Sequence, residues 1–83
     1  MSFLSKLSHI IQDRFQNRSG QSYTSQLFEG GLDRILRKIG EESGEVIIAA
    51  KNQDKTELKN ESADLLFHLL VLLQHEGLSI DDV

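Results

Sequence analysis

The sequence has no cysteine, no proline and no tryptophan. The absence of cysteine excludes disulfides, thiolate-held zinc or iron–sulfur centres and thiol nucleophiles. The absence of proline, with only six glycines in 83 residues, favours long uninterrupted helices. The longest apolar run, 65–73, is broken by His68 and is far shorter than the roughly 20 residues that span a bilayer. The first ten residues lack a signal-peptide pattern, so we expect a cytoplasmic protein with no membrane partner.

Basic residues are too few for a nucleic-acid-binding surface. Nine lysines and arginines stand against thirteen acidic residues, giving a net charge of −4. The length predicts a single domain over 1–83. Such a small domain buries only about 60% of the surface of its unfolded chain, and it has no disulfide or zinc to add stability. We therefore expect a homo-oligomer, most simply a homodimer.

Hydrophobic periodicity predicts an all-α fold. The long predicted helices cover 2–17, 32–52 and 54–76, with Asp54 and Glu57 forming a capping-box-like start and Gly77 ending the last one. Residues 17–20 read as a turn. Residues 22–24 are predicted to be extended or a loop, with Thr24 or Ser25 opening a short helical turn through 28 that Gly30 and Gly31 end. Ser79 is predicted to cap the first turn of a fourth, rudimentary helix.

Two of these helices carry distinctive apolar patterns. On the second helix an apolar stripe at 3.6-residue period is the predicted core face, with the acidic residues on the face beside it. The stripe comprises Leu32, Ile35, Leu36, Ile39, Val46, Ile47 and Ala50. The third helix is apolar on nearly all sides over 63–73, so more than one neighbour must cover it. A second subunit is the obvious extra neighbour.

Two pairs of acids stand three residues apart on the predicted second and third helices. They are Glu42 with Glu45, and Glu61 with Asp64. Residues at this spacing are neighbours on a helix surface, and an antiparallel hairpin would bring the two pairs to a similar depth. Small residues inside both pairs, including Gly44, predict a close approach of the two backbones. Four converging carboxylates repel one another unless a cation lies between them, and Mg²⁺ with bound phosphates suits such oxygen ligands.

Other interpretations of these residues stay open. Glu41 and Glu42 also fit solvated charges paired with Arg37 and Lys38 along the helix. A ferritin-like di-iron site needs Glu-x-x-His on two helices, a spacing that does not occur here. His68 follows Asp64 by one turn and fits either a weak ligand or, more commonly, a hydrogen-bonded core residue.

The motifs ExxE and ExxD, separated by a helix-hairpin interval, resemble those of the MazG-type all-α nucleotide pyrophosphohydrolases. The ordered blocks across most of the chain narrow this to a close resemblance to the phosphoribosyl-ATP pyrophosphohydrolase family. The blocks are SYT at 22–24, LF at 27–28, KIGEE at 38–42, EV at 45–46, AAK at 49–51, ESADLLFHL at 61–69 and GLS at 77–79.

The resemblance implies hydrolysis of phosphoribosyl-ATP to phosphoribosyl-AMP and pyrophosphate, the second step of histidine biosynthesis. It implies a MazG-like bundle completed by homodimerisation, with active sites among helices of both subunits. It also implies that four acids hold Mg²⁺, with Mn²⁺ as a substitute: Glu42, Glu45, Glu61 and Asp64. Water would attack the α-phosphorus as pyrophosphate leaves.

The same resemblance assigns roles to residues around these acids. Glu41, beside the catalytic Glu42 and Glu45, is a further candidate to orient or deprotonate water. Lys38 and Lys51 match basic positions that offset phosphate charge. Tyr23 fits either the lining of the substrate pocket or loop packing.

The chain departs from the family in a few respects. Gly44 stands where Thr or Ala is more usual, and the chain ends where members continue into a final helix. The absence of cysteine predicts a stand-alone enzyme without the zinc-dependent cyclohydrolase fused to many relatives.

Two alternatives to the family activity stay open. A MazG-type enzyme that hydrolyses dUTP, dCTP or damaged triphosphates would use the same four acids. In a helical dimerisation module without catalytic activity, the acids would be a solvated face.

Overall fold

The computed structural model describes residues 2–17 and 22–83, and within these ranges the chain is all-α, as predicted. The helices are α1 (Ser2–Gln16), α2 (Tyr23–Gly30), α3 (Leu32–Lys51) and α4 (Lys55–His75), followed by a 3₁₀ turn (Ile80–Asp82). The predicted turn at 17–20 falls mostly on residues outside the described ranges. No helix in the described ranges is long and apolar enough to cross a membrane.

Capping side chains determine where these helices begin. The Asp54 carboxylate accepts the backbone N–H of Glu57 at 3.0 Å, which confirms the predicted start of α4. Ser79 and Asp82 form a reciprocal capping box around the 3₁₀ turn, so the predicted final turn is also present. The predicted short helix is present as α2, but its predicted start at Thr24 or Ser25 was wrong. This helix begins at Tyr23, because the Ser22 hydroxyl accepts the N–H of Ser25 at 3.0 Å and acts as its cap.

Helices α3 and α4 form a hairpin, and their mutual contact is the most extensive in the fold. The connection is short: the N–H of Asp54 bonds to the carbonyl of Ala49, and Gln53 adopts a positive φ of 56°. A connection of this length makes the two helices antiparallel neighbours. Helices α1 and α2 pack against this hairpin.

The core lies where the four helices meet. Its buried apolar side chains come from every helix: Ile11, Leu27, Phe28, Ile35, Leu70 and Val71. Phe15 of α1 packs edge-on against Phe28 of α2, with ring centroids 4.9 Å apart. These contacts fix α1 and α2 on the hairpin.

The predicted core face of α3 was wrong in part. The buried residues of α3 are Ile35, Glu42 and Ala49, which follow one another at seven-residue spacing and share one face. Most of the predicted stripe is open, with Leu36 45% and Ile47 63% exposed. The hairpin thus turns the acid-bearing face of α3 inward and leaves apolar side chains uncovered on the single chain.

The predicted close approach of the backbones at Gly44 was also wrong. A Cβ atom built on Gly44 meets no atom of the described residues within 4 Å. Close packing therefore does not require a glycine here, although a glycine inside a helix costs about 1 kcal/mol relative to alanine.

Candidate functional site

Three carboxylates converge between the middle of α3 and the first half of α4. Glu42, Glu45 and Glu61 each place a carboxylate oxygen within 4.8 Å of the other two. Glu42 and Glu45 share one face of α3 because they stand three residues apart. Glu45 precedes the hairpin turn by roughly two helical turns and Glu61 follows it by about the same distance, so the antiparallel register brings them to one level.

Two oxygen atoms of this cluster are buried and unsatisfied. When all three carboxylates are ionised, the Oε2 atoms of Glu42 and Glu61 are shielded from solvent and have no hydrogen-bond donor among the described residues. Glu42 is only 6% exposed, and its other oxygen, Oε1, lies 3.8 Å from Nζ of Lys38. An unpaired carboxylate oxygen away from water carries a large desolvation cost. A bound cation would remove this cost.

The proximity of the carboxylates alters the protonation of Glu61. Hydrogen bonding to Glu45 and then to Glu42, followed by desolvation and the charges of the same two neighbours, raises the pKa of Glu61 from 4.5 to about 8. Near neutral pH the cluster therefore retains a proton in place of a cation. A divalent ion that displaced this proton would meet three hard oxygen donors.

A cleft of about 300 Å³ opens beside the acids. Seven residues line it: Glu45, Ile48, Ala49, Asn52, Asp54, Glu57 and Glu61. Sequence reasoning did not include Asn52, Asp54 and Glu57 in the site. The sequence did offer one signal for these three residues, which is their position in and just after the hairpin turn. A cleft on the side of the acids that faces this turn must be bounded by the turn itself.

The remaining predicted acids lie at the margin of the cluster. Asp64 stands one turn beyond Glu61 on α4 with its side chain exposed, and it is not among the three converging acids. Glu41 is also exposed, and its carboxylate accepts a hydrogen bond from Lys38 at 3.5 Å. Both lie next to the cluster along their own helices.

Of the two predicted cationic residues, Lys38 lies beside the acids. Burial alone would lower the pKa of Lys38, but the electrostatic interaction with Tyr23 and the hydrogen bond that Lys38 donates to Glu41 oppose that effect. Together with the charges of Glu41 and Glu42, they raise the pKa of Lys38 above 10.5. Lys38 is therefore a cation at physiological pH. Lys51 is exposed in the last turn of α3 and is not part of the converging group.

Tyr23 and His68 form a pair that joins α2 to α4. His68 is 4% exposed, and its Nδ1 lies 2.7 Å from the carbonyl oxygen of Asp64, one turn back on the same helix. Its Nε2 lies 2.9 Å from the hydroxyl of Tyr23. Both ring nitrogens are thus engaged, which confirms the interpretation of His68 as a hydrogen-bonded core residue rather than a ligand.

Comparison with known proteins relates the chain to one family of enzymes. The sequence pattern of the phosphoribosyl-ATP pyrophosphohydrolase family matches residues 4–83. A phosphoribosyl-ATP pyrophosphatase of Leptospira biflexa is 52% identical over 83 residues, covering 100% of this chain and 90% of that protein. One from Clostridium acetobutylicum is 49% identical, covering 96% of this chain and 73% of that protein. The histidine biosynthesis bifunctional protein HisIE of Bacillus subtilis is 52% identical, but the chain spans only 38% of its length.

Proposed function

The chain belongs to the phosphoribosyl-ATP pyrophosphohydrolase family, and we propose that it hydrolyses phosphoribosyl-ATP to phosphoribosyl-AMP and pyrophosphate in histidine biosynthesis. The proposal rests on a match that extends over nearly the whole chain and includes all of the converging acids. The observation that carries it is the convergence of Glu42, Glu45 and Glu61 from two helices. A dimerisation module would have no need to gather acids on an inward face at the cost of unpaired oxygens.

A magnesium ion fits the acid cluster, with Mn²⁺ as a substitute. Glu42, Glu45 and Glu61 would hold it, and Asp64, one turn along α4, would supply a fourth carboxylate. The two buried oxygens without partners support this assignment, because a cation would satisfy both. When bound there, the ion would withdraw charge from phosphoryl oxygens and increase the acidity of water.

The residues around the cluster have complementary roles in this reaction. Lys38, held as a cation beside Glu42, offsets the charge of the polyphosphate, and Lys51 does so from the end of α3. Glu41 is an exposed carboxylate next to Lys38, where it can accept the proton of the attacking water. Tyr23, which is partly exposed on α2, would line the substrate pocket. The open cleft beside Glu45 and Glu61 leaves room for the phosphates.

A homodimer would complete the fold. Apolar side chains on α3 are left open, with Ile47 63% and Ile48 60% exposed. A second cleft of about 280 Å³, between α1, α4 and the chain end, is lined by apolar side chains, among them Leu66 and Leu69 of α4. Burial of these surfaces against a second copy would contribute roughly 25 cal/mol for each Å² removed from water. Because Ile48 also lines the cleft beside the acids, a partner there would help to enclose the substrate.

The substrate is tested by measuring pyrophosphate release from phosphoribosyl-ATP, ATP, dUTP and dCTP under identical conditions. We expect phosphoribosyl-ATP to have the highest kcat/KM. Faster turnover of a deoxynucleoside triphosphate would assign the chain to the nucleotide-cleansing branch of the MazG-type enzymes instead. No turnover of any of the four would leave the dimerisation module as the better interpretation.

A further inference from the structure

His68 lies outside the acid cluster, and its two ring nitrogens contact Asp64 of its own helix and Tyr23 of α2. The carbonyl of Asp64 can only accept, so Nδ1 of His68 must carry the proton in their 2.7 Å contact. In the neutral ring this leaves Nε2 as an acceptor. The hydroxyl of Tyr23, 2.9 Å away, therefore donates its proton to His68.

The ring of Tyr23 is held in place from two sides. It stacks on Phe67 with an interplanar angle of 26° and meets the imidazole of His68 edge-on at 88°. Even so, Tyr23 as a whole is 44% exposed, so part of the side chain remains open to a ligand. An exposed aromatic side chain that is anchored by a buried histidine has lost its rotational freedom before any substrate binds.

The direction of this hydrogen bond decides what Tyr23 can recognise. With its proton directed at Nε2 of His68, the hydroxyl offers only lone pairs to a ligand. It can accept from a hydroxyl or amino group of a nucleotide, but it does not donate to a phosphate oxygen. Phosphate recognition then falls to Lys38, the cation beside Glu41 and Glu42.

We propose that His68 is a positioning residue, which holds the hydroxyl of Tyr23 as a fixed acceptor for the nucleoside or ribosyl part of the substrate. This rests on the proposed function, and it adds a specificity role for a buried histidine that makes no contact with the phosphates. It also ties α2 to the segment of α4 that carries Asp64. His68 acts through Tyr23, so its removal and the removal of the Tyr23 hydroxyl should have the same consequence.

A double-mutant cycle tests this dependence. Tyr23→Phe removes the hydroxyl and keeps the ring, while His68→Asn keeps a donor near Nδ1 and removes the acceptor at Nε2. We expect each variant to raise KM by about three- to tenfold, the size of one neutral hydrogen bond, with kcat within about twofold of the original protein. The double variant should be no worse than either single one. Multiplied effects in the double variant would overturn the proposal.

Two further variants separate positioning from a general loss of structure. His68→Gln places an amide oxygen near the position of Nε2 and should recover at least part of the lost KM. His75→Asn makes the same change as His68→Asn on the same helix, at a half-buried site that pairs with Glu76, and should leave KM unchanged. Equal effects of His68→Asn and His75→Asn would overturn the proposal, as would loss of the magnesium-induced rise in Tm in His68→Asn.

Tyrosine spectroscopy provides a readout that does not depend on activity. Tyr23 is the only tyrosine and the chain has no tryptophan, so the tyrosine absorption band and tyrosine fluorescence report on this ring alone. His68→Asn should change both signals and His75→Asn neither. If phosphoribosyl-ATP is not hydrolysed, the proposed function fails, yet these spectra still decide whether His68 holds Tyr23. Unchanged spectra in His68→Asn would overturn the positioning role whatever the substrate.

Discussion

Glu42 of α3 and Glu61 of α4 meet across the helical hairpin, and each keeps its Oε2 atom out of solvent with no hydrogen-bond partner among the described residues. Two helices that packed for stability alone would place apolar side chains at this position. The hairpin instead concentrates negative charge where water is excluded, which should weaken the ion-free protein and favour a bound cation.

Glu61→Gln tests the repulsion within the cluster. We expect this variant to have a higher Tm than the original protein in EDTA, because it removes one of three crowded carboxyl groups and its amide can donate to Glu42. It should also lose the rise in Tm that magnesium causes. Thermal unfolding in EDTA, in MgCl₂ and in NaCl of matched ionic strength measures both effects. An equal rise in all salts would indicate screening of surface charges rather than binding.

Magnesium binding should depend on pH because of Glu61. The pKa of Glu61 is about 8 in the folded protein and 4.5 in the unfolded chain. Between these two pH values the folded protein binds one more proton than the unfolded chain. The contribution of Glu61 to the stability of the ion-free protein therefore falls as the pH rises from about 4.5 to 8. Mg²⁺ must displace that proton, so its affinity should increase up to tenfold for each pH unit below about 8 and level off above it. Calorimetric titration between pH 6 and 9 measures this, and Glu61→Gln should show no such slope.

Asp64→Asn separates a ligand from a solvated surface acid. Asp64 is exposed and lies apart from the three converging acids, so its substitution should leave the Tm in EDTA within about 1 °C of the original value. We expect a lower magnesium affinity and a lower rate at limiting magnesium, since the proposed fourth carboxylate is lost. Unchanged activity at limiting magnesium would remove Asp64 from the ligand set.

Gly44→Ala should stabilise the protein. The new methyl group meets no atom of the described residues within 4 Å, and alanine favours the helix by about 1 kcal/mol relative to glycine. Gly40→Ala, also in open space on α3, is the matched control and should have a similar effect. Gly77→Ala should destabilise the protein, because Gly77 has a φ of +79° that an L side chain adopts with strain. Urea unfolding measures all three, and a destabilised Gly44→Ala would show an unseen neighbour at that site.

Ile47→Lys tests the proposed homodimer. A lysine on the open apolar face of α3 should shift the protein towards monomer and lower its Tm. Ile10→Lys on α1 is the matched control, because Ile10 is 53% exposed and Ile47 is 63% exposed. The control should leave the oligomeric state unchanged. Sedimentation velocity across a range of protein concentrations distinguishes these outcomes. A dimer that persists in Ile47→Lys would place the interface elsewhere.

Local signals in the sequence were sufficient for the helices and for most of the site. The apolar period, the cap at Asp54 and the glycine at 77 act within a few residues of one another, so they could be interpreted without knowledge of the fold. The acids at i and i+3 likewise predicted convergence across a hairpin. The start of α2 was misplaced because Ser22, Thr24 and Ser25 are all competent caps, and only the packed position of the helix selects among them.

The sequence alone did not predict which helix faces pack together or which distant side chains meet. The stripe on α3 was assigned to the core by its hydrophobicity, whereas packing against α4 buries Glu42 and leaves Ile47 open. A hydrophobic pattern identifies a face that avoids water but does not state whether its own chain or a second copy covers it. The bond between Tyr23 and His68 joins residues 45 positions apart, and neither residue carries a local signal of the other.

The central claim is that Glu42, Glu45 and Glu61 hold the ion that phosphoribosyl-ATP hydrolysis requires. The most direct measurement is the rate of pyrophosphate release from phosphoribosyl-ATP during a magnesium titration, for the original protein, Glu61→Gln and the matched control Glu76→Gln at the far end of α4. We expect EDTA to abolish the rate, Glu61→Gln to lower kcat/KM by about a hundredfold or more, and Glu76→Gln to behave as the original protein. Full activity in EDTA, or an equal loss in both variants, would contradict the claim.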